Sequence, residues 1–163
     1  MAATYEPIAT TTLGSAASSI TFSSIPGTFT DLRLIMVAAH NGSAGSVSMT
    51  LNNDTSALYS ATQFYGTGSA AGSSRYSGAN NWQFSTGFFL NSQPGLLVLD
   101  LFNYAGSTNK TGFIQSNLDG DTPRLGRDVA LYRSTSAITR IDISIPSQAA
   151  AGTTATLYGI KAA

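Results

Sequence analysis

The chain has 163 residues, of which 10% are charged and 42% are hydrophobic, and its eight Lys and Arg balance eight Asp and Glu. This composition is too apolar for a disordered chain, and the absence of net charge argues against nucleic acid or a membrane surface as a partner. The absence of cysteine excludes disulfides, thiolate metal sites and a cysteine nucleophile.

The N-terminal segment is almost uncharged. Glu6 is its single charge, and no Lys or Arg precedes Arg33, so the basic start of a signal peptide is missing. We interpret residues 1–18 as an N-terminal arm or edge strand. The following "SITFS" alternates Ile20 and Phe22 with polar residues, which predicts a strand with one face in the core.

The rest of the chain repeats strand signals at short intervals. Two runs, "LRLIMVAA" (32–39) and "LLVLDLF" (96–102), are apolar on both faces, as is typical of central strands covered on two sides. Further strand-like segments lie at 46–51, 110–116, 129–134, 138–145 and 155–162. With the turn-rich segments between them, they predict about nine or ten strands in one all-β domain over residues 1–163. The expected fold is an antiparallel β-sandwich of jelly-roll type.

Two segments depart from this pattern. Residues 52–66 could form a short helix capped by Asp54 or Thr55, or a loop. Residues 66–81 are rich in Gly and Ser and predict a long exposed loop, which carries Tyr76 and is followed directly by Trp82.

The sequence contains no convincing catalytic constellation. His40 is the single histidine, and no Gly-x-Ser-x-Gly elbow accompanies it, so we expect a satisfied or solvent-facing side chain. Asp100 interrupts an apolar run, where an unpaired carboxylate would be costly, so we expect a structural pairing with an arginine or with turn amides.

Metal and phosphate motifs are incomplete as well. Acceptors stand at alternate positions, as at the start of a calcium loop: Asn117, Asp119 and Asp121. Thr122 and Asp128 replace the Gly and Glu that such a loop requires, so an Asx-rich turn is the preferred interpretation. "GTGSAAG" (66–72) lacks the spacing and the Lys-Ser/Thr of a phosphate loop, and we expect a flexible loop. We therefore predict no catalytic, cofactor or metal site.

Four segments carry a family resemblance: "ATYEPIATTTLGSAASSITFSSIP", "FTDLRLIMVA", "LFNYAGSTNKT" and the terminal "LYGIKAA". In these segments, and in their order from Tyr5 to Ala163, the chain resembles a family of virion structural proteins of tailed bacteriophages, especially those of cyanobacteria and marine bacteria. Residues 66–81 depart from the family's pattern. The resemblance implies a non-enzymatic particle protein located in the virion, on the capsid shell or in the tail.

Two functional hypotheses follow from the resemblance and from the neutral surface. The first is a capsid decoration or cement protein, which binds the major capsid protein as a homo-oligomer, expected to be a trimer. The alternative is a tail fibre, spike or adaptor component that binds host glycan or other tail proteins; its mark would be exposed Tyr and Trp side chains at one end of the sandwich. A third class, a carbohydrate-active enzyme, would need two acids facing each other across a cleft.

Five residues are candidates for the interface. Tyr5, Pro7 and Ile8 lie in the uncharged N-terminal edge, whose free amides and carbonyls a neighbouring subunit could pair with; the alternative for Tyr5 and Ile8 is an ordinary edge strand of their own sandwich. Tyr76 and Trp82 are the aromatic candidates from the predicted loop.

Overall fold

A computed structural model describes residues 4–41, 47–84, 93–118 and 124–161. The described chain forms twelve strands: β1 (Tyr5–Thr12), β2 (Ala17–Phe22), β3 (Asp31–Ala38), β4 (Ser48–Leu51), β5 (Tyr59–Gly66), β6 (Ala71–Ala79), β7 (Trp82–Gln83), β8 (Gly95–Phe102), β9 (Lys110–Leu118), β10 (Arg124–Tyr132), β11 (Ile141–Ala149) and β12 (Thr154–Ile160). No helix long and apolar enough to cross a membrane occurs among these residues.

The strands form two antiparallel sheets. The large sheet has the order β1-β12-β3-β8-β9-β10-β5-β6, and the small sheet has the order β2-β11-β4-β7. The predicted all-β, antiparallel sandwich is confirmed.

Eight of the strands have jelly-roll topology. These are β1–β4, β7, β8, β11 and β12. The first strand of this set pairs with the last, the second with the second-last, and so on: β1 with β12, β2 with β11, β3 with β8, and β4 with β7. This is a long hairpin rolled up so that successive pairs alternate between the sheets, and β12–β3 and β11–β4 pairs close the roll. The jelly-roll prediction from the sequence therefore agrees with the strand pairing.

Two hairpins are inserted into this roll and widen the large sheet. The β5–β6 hairpin enters between β4 and β7, and the β9–β10 hairpin enters between β8 and β11. The two hairpins pair with each other through β10 and β5. Strand β9 of the second hairpin pairs with β8 of the roll. We call β5, β6, β9 and β10 the inserted strands. The twelve strands exceed the predicted nine or ten because β5 and β6 lie in segments for which the sequence predicted a short helix or loop and a long loop.

The core lies between the sheets and is built from alternate residues of each strand. In β3, for example, Leu32, Leu34 and Met36 are buried, and in β11 the three isoleucines of "IDISI" are fully buried. One continuous apolar cluster spans both sheets, which is what a single domain requires.

An aromatic cluster fastens the inserted strands to the small sheet. Tyr59 of β5 stacks on Tyr132 of β10, with ring centroids 4.6 Å apart, and meets Trp82 of β7 edge-on at 6.0 Å. The Tyr132 hydroxyl donates to a carboxylate oxygen of Asp54 at 2.6 Å. Burial raises the pKa of Tyr59, so its hydroxyl stays protonated and donates to the Asp54 carbonyl at 2.9 Å.

Two predictions about the middle of the chain are wrong. Residues 52–66 contain turns followed by β5, not a helix, because Tyr59, Ala61 and Gln63 face the core with a period of two. Residues 66–81 are not a long loop: a tight turn over 67–70, in which the Thr67 amide donates to the Ala70 carbonyl, leads directly into β6.

Candidate functional site

The most unusual surface of the molecule is the side of the large sheet that points away from the small sheet; we call it the outer face. Val129 is 57% exposed there, Phe64 is 52% exposed and Val37 is 47% exposed. Further exposed or half-buried apolar side chains of the outer face are Ile35, Leu96, Val98, Phe102, Phe113, Leu125 and Leu131.

Strand register places these side chains in cross-strand rows. One row runs Val37, Leu96, Asn117, Leu125, and the next runs Ile35, Val98, Gln115, Arg127, Phe64. Eight strands about 4.8 Å apart, each with about four outward residues, give a surface of about 35 Å by 25 Å, on the order of 900 Å². A standard protein interface buries about 800 Å² on each partner, so the outer face is large enough to form one.

The sequence predicted that β3 and β8 are covered on two sides, and the structure covers them on one. The inner residues pack on the small sheet, whereas no described segment of the chain lies over Ile35, Val37 or Val98. Strands apolar on both faces are otherwise typical of sheets with two covering layers. The outer sides of β3 and β8 therefore form an apolar surface that no described segment of the chain covers.

An ion pair lies within the outer face and is neutral as a unit. Arg33 of β3 donates to both carboxylate oxygens of Asp100 of β8, at 2.5 Å and 2.8 Å, and Asp100 is 6% exposed. The hydrogen bond to Asp100 raises the pKa of Arg33. The expected structural pairing of Asp100 with an arginine is confirmed. A partner can cover this pair without leaving an uncompensated charge.

The predicted N-terminal candidates lie on β1, the edge strand of the chain's own large sheet. The Tyr5 hydroxyl accepts a hydrogen bond from Arg33 at 3.1 Å, and the Arg33 guanidinium lies 5.6 Å from the Tyr5 ring centroid. Ile8 is half-buried against the core, at a bulge between Pro7 and Ala9. Of the two interpretations left open, the ordinary edge strand is the one observed.

This edge is poorly suited to pairing with another strand. Pro7 has no amide hydrogen, and both proline and a bulge are features that blunt an edge. Glu6 pairs with Lys161 at 2.8 Å, and Thr10 hydrogen-bonds Thr156 across to β12 at 3.1 Å. Residues 5–12 are thus paired with β12 of their own sheet, which corresponds to the edge-strand alternative for the N-terminal segment.

The aromatic candidates are not exposed anchors. Trp82 is fully buried and its indole N–H donates to the Leu131 carbonyl at 3.2 Å, so a partner cannot reach it; its selection as an interface residue is corrected on that ground. Tyr76 faces the inner side of β6, where its hydroxyl accepts from the Gln83 amide at 2.8 Å. Burial raises the pKa of Tyr76 to about 12.

The inserted strands carry a groove on the outer face with a volume of about 320 Å³. Ser60 and Thr62 of β5 are small and lie between the larger Val129 and Leu131 of β10 and the residues of β6. Arg75 and Arg133 also line the groove. The sequence could not show it, because its residues come from four strands.

The remaining motifs have ordinary structural roles. His40 is buried, with Nδ1 3.3 Å from the Gln148 carbonyl, as expected for a satisfied histidine. Asn117 lies on β9, whereas positions 119, 121 and 122 of the calcium-like motif lie outside the described residues. Within the described ranges, no group of three His, Cys, Asp or Glu is placed to hold a metal ion.

Comparison with known proteins gives a likeness of fold alone. No protein-family model and no curated protein matches the sequence. Among solved structures, the chain is similar to galectin LEC-6 of Caenorhabditis elegans, with 10% sequence identity, a TM-score of 0.42, and coverage of 94% of this chain and 96% of that chain. At this distance, the similarity carries no argument about function.

Proposed function

We propose that this chain is a non-enzymatic virion structural protein, and specifically a capsid decoration protein that binds the assembled lattice of the major capsid protein as a trimer. The outer face is the observation that carries the proposal, because its strands are apolar as if covered, and nothing in the described chain covers them. The family resemblance of the N- and C-terminal segments supports the virion assignment.

The energetics of the outer face suit docking on a lattice. If about half of its 900 Å² is apolar, burial contributes about 11 kcal/mol at 25 cal/mol per Å², against an association cost of about 4–15 kcal/mol. One subunit therefore binds weakly at best, whereas a trimer with three linked contacts gains by effective concentration. A protein that binds only the assembled lattice stabilises that lattice by mass action.

The alternative, a tail component that binds host glycan, has less support. Its mark would be exposed Tyr and Trp side chains gathered at one end of the sandwich. In the part of the chain that the structure describes, Trp82 is buried, and the exposed rings of Tyr5 and Phe64 lie toward opposite edges of the large sheet.

Copy number on purified particles tests the proposal. Quantitative mass spectrometry against the major capsid protein should give a stoichiometry on the order of hundreds of copies per particle, since a lattice repeats its binding site by symmetry. A total of a few dozen copies or fewer would place the protein in the tail and contradict the decoration assignment.

A further inference from the structure

The arginines on or beside the inserted strands differ in their pairing from the cations elsewhere in the molecule. Three cations outside the inserted strands are paired with carboxylates: Arg33 with Asp100, Arg140 with Asp142, and Lys161 with Glu6. Arg75, Arg127 and Arg133, which lie on or directly after the inserted strands, have no carboxylate within 4.0 Å among the described residues. Arg75 and Arg127 have outward positions in their strand registers, and Arg133, directly after β10, is exposed.

Two of these arginines flank the groove. Arg75 of β6 lies directly across from Thr62 in the strand register. Arg133 donates to the Ser60 hydroxyl at 3.1 Å and to the Leu58 carbonyl at 3.4 Å. A guanidinium has five N–H donors, so Arg133 retains donors for a ligand while these bonds restrict its position. Between the arginines the groove is lined by Val129 and Leu131.

We infer that this groove binds an acidic segment of the partner protein, with Asp or Glu carboxylates meeting Arg75 and Arg133 and an apolar side chain between them covering Val129. This assignment rests on the proposed function and names the chemistry of the contact within it. Guanidinium groups bind carboxylates in charge-assisted, often bidentate pairs, and such a pairing would give Arg75 and Arg133 the kind of partner that Arg33 and Arg140 have within the chain.

Other occupants fit less well. A second copy that met the groove by two-fold symmetry would oppose like patches and bring arginines against arginines, which is repulsive. A nucleic acid would cover the exposed Val129 and Phe64 with phosphates, and apolar side chains gain nothing from that contact. The chain also lacks the net positive charge that phosphate binding favours.

The test uses a short peptide of repeated Glu-Val-Glu-Thr, titrated into the full-length protein at low salt and followed by amide NMR and calorimetry. We expect shifts centred on Thr62, Val129 and Leu131. Arg75→Gln and Arg133→Gln should each weaken binding about tenfold, the loss of one charge-assisted hydrogen bond. Arg140→Gln, which removes a charge directly before β11 of the small sheet, is the matched control and should bind as the wild type does.

Each outcome decides the inference. Equal binding of a Gln-Val-Gln-Thr peptide, equal binding by the Arg75 and Arg133 variants, or no localised shift at millimolar peptide would overturn it. Tighter binding of an oligonucleotide of equal charge, lost in the same variants, would replace the acidic protein segment by nucleic acid. Thermal melting checks that the variants are folded, and Arg75→Gln changes a fully outward side chain.

The inference and the proposed function fail in different ways. If the protein docks on undecorated capsid shells and the arginine variants dock equally well, the groove assignment falls and the decoration role stands. If the peptide binds in the groove but the protein is missing from the shell, the decoration role falls and the acidic partner must be sought elsewhere in the virion.

Discussion

Replacing the two most exposed apolar residues of the outer face should weaken docking while leaving the fold intact. Full burial of a valine or phenylalanine side chain contributes about 1.5–3 kcal/mol. Val129 is 57% exposed and Phe64 is 52% exposed, so docking would recover about 1–1.5 kcal/mol for each residue. Val129→Ser should raise the Kd about tenfold, and the double variant with Phe64→Ser about fiftyfold.

The assay is co-sedimentation of the purified variants with undecorated capsid shells over a concentration series. The matched control is Ser144→Val on the solvent side of the small sheet, where an added apolar side chain should leave the Kd unchanged. Urea denaturation measures the stability of the free proteins. We expect the substitutions to lower the free energy of unfolding less than they lower the free energy of docking, because about half of each side chain is already exposed to water in the free protein. Wild-type docking by the double variant, or a docking defect in the control, would refute the assignment of the outer face.

Three further predictions concern the fold itself. Lys110→Met should lower the free energy of unfolding by roughly 2–3 kcal/mol in urea denaturation. The buried ammonium group donates to the carbonyls of Gly106 and Thr108, and these would lose their donor. An unchanged unfolding midpoint would show that these hydrogen bonds do not stabilise the loop before β9. Hydrogen bonds from Arg140 are the main cause that lowers the pKa of Asp142 in the folded protein. The ionised Asp142 carboxylate therefore contributes fully to stability above the unfolded-state pKa of about 4, and this contribution is lost as the pH falls below about 4. Asp142→Asn should therefore flatten the acid side of the stability profile, and an identical profile in the variant would contradict this. Deleting residues 1–12 uncovers β12 and removes the packing of Ile8, so the melting temperature should fall markedly; a truncated protein as stable as the wild type would show that β1 is dispensable.

Much of the jelly roll is predictable because its strands carry local periodicity. The segment "ITRIDISI" alternates isoleucines with polar residues, and β11 buries those isoleucines in the core. The runs at 32–39 and 96–102 form β3 and β8 near the centre of the large sheet. In each case, a two-residue period or an apolar run is enough to specify a strand.

Among the inserted strands, β5 and β6 are less predictable than β9 and β10 because tertiary pairing, and not local pattern, makes them strands. β6 reads "AGSSRYSGA" and would be a loop in isolation, but β5 supplies a hydrogen-bonding edge along its whole length. Trp82 follows this segment and is buried because β7 pairs with β4 beneath the inserted strands.

The exposure of the outer face could not be predicted from the sequence for a related reason. The sequence shows that β3 and β8 are apolar on both faces, and it predicts two covering layers. It does not show that the described chain covers only one face of these strands. That distinction depends on the partition of strands into an eight-stranded and a four-stranded sheet, which is set by pairings distant in sequence.

Hydroxyl-radical footprinting of the free and the capsid-bound protein tests the central claim most directly, since it reports the solvent exposure of individual side chains. Docking through the outer face predicts that oxidation of Phe64, Phe102, Leu125 and Val129 falls on binding, while the solvent side of the small sheet keeps its reactivity. Unchanged oxidation of these four residues, with protection of the small sheet instead, would contradict the account.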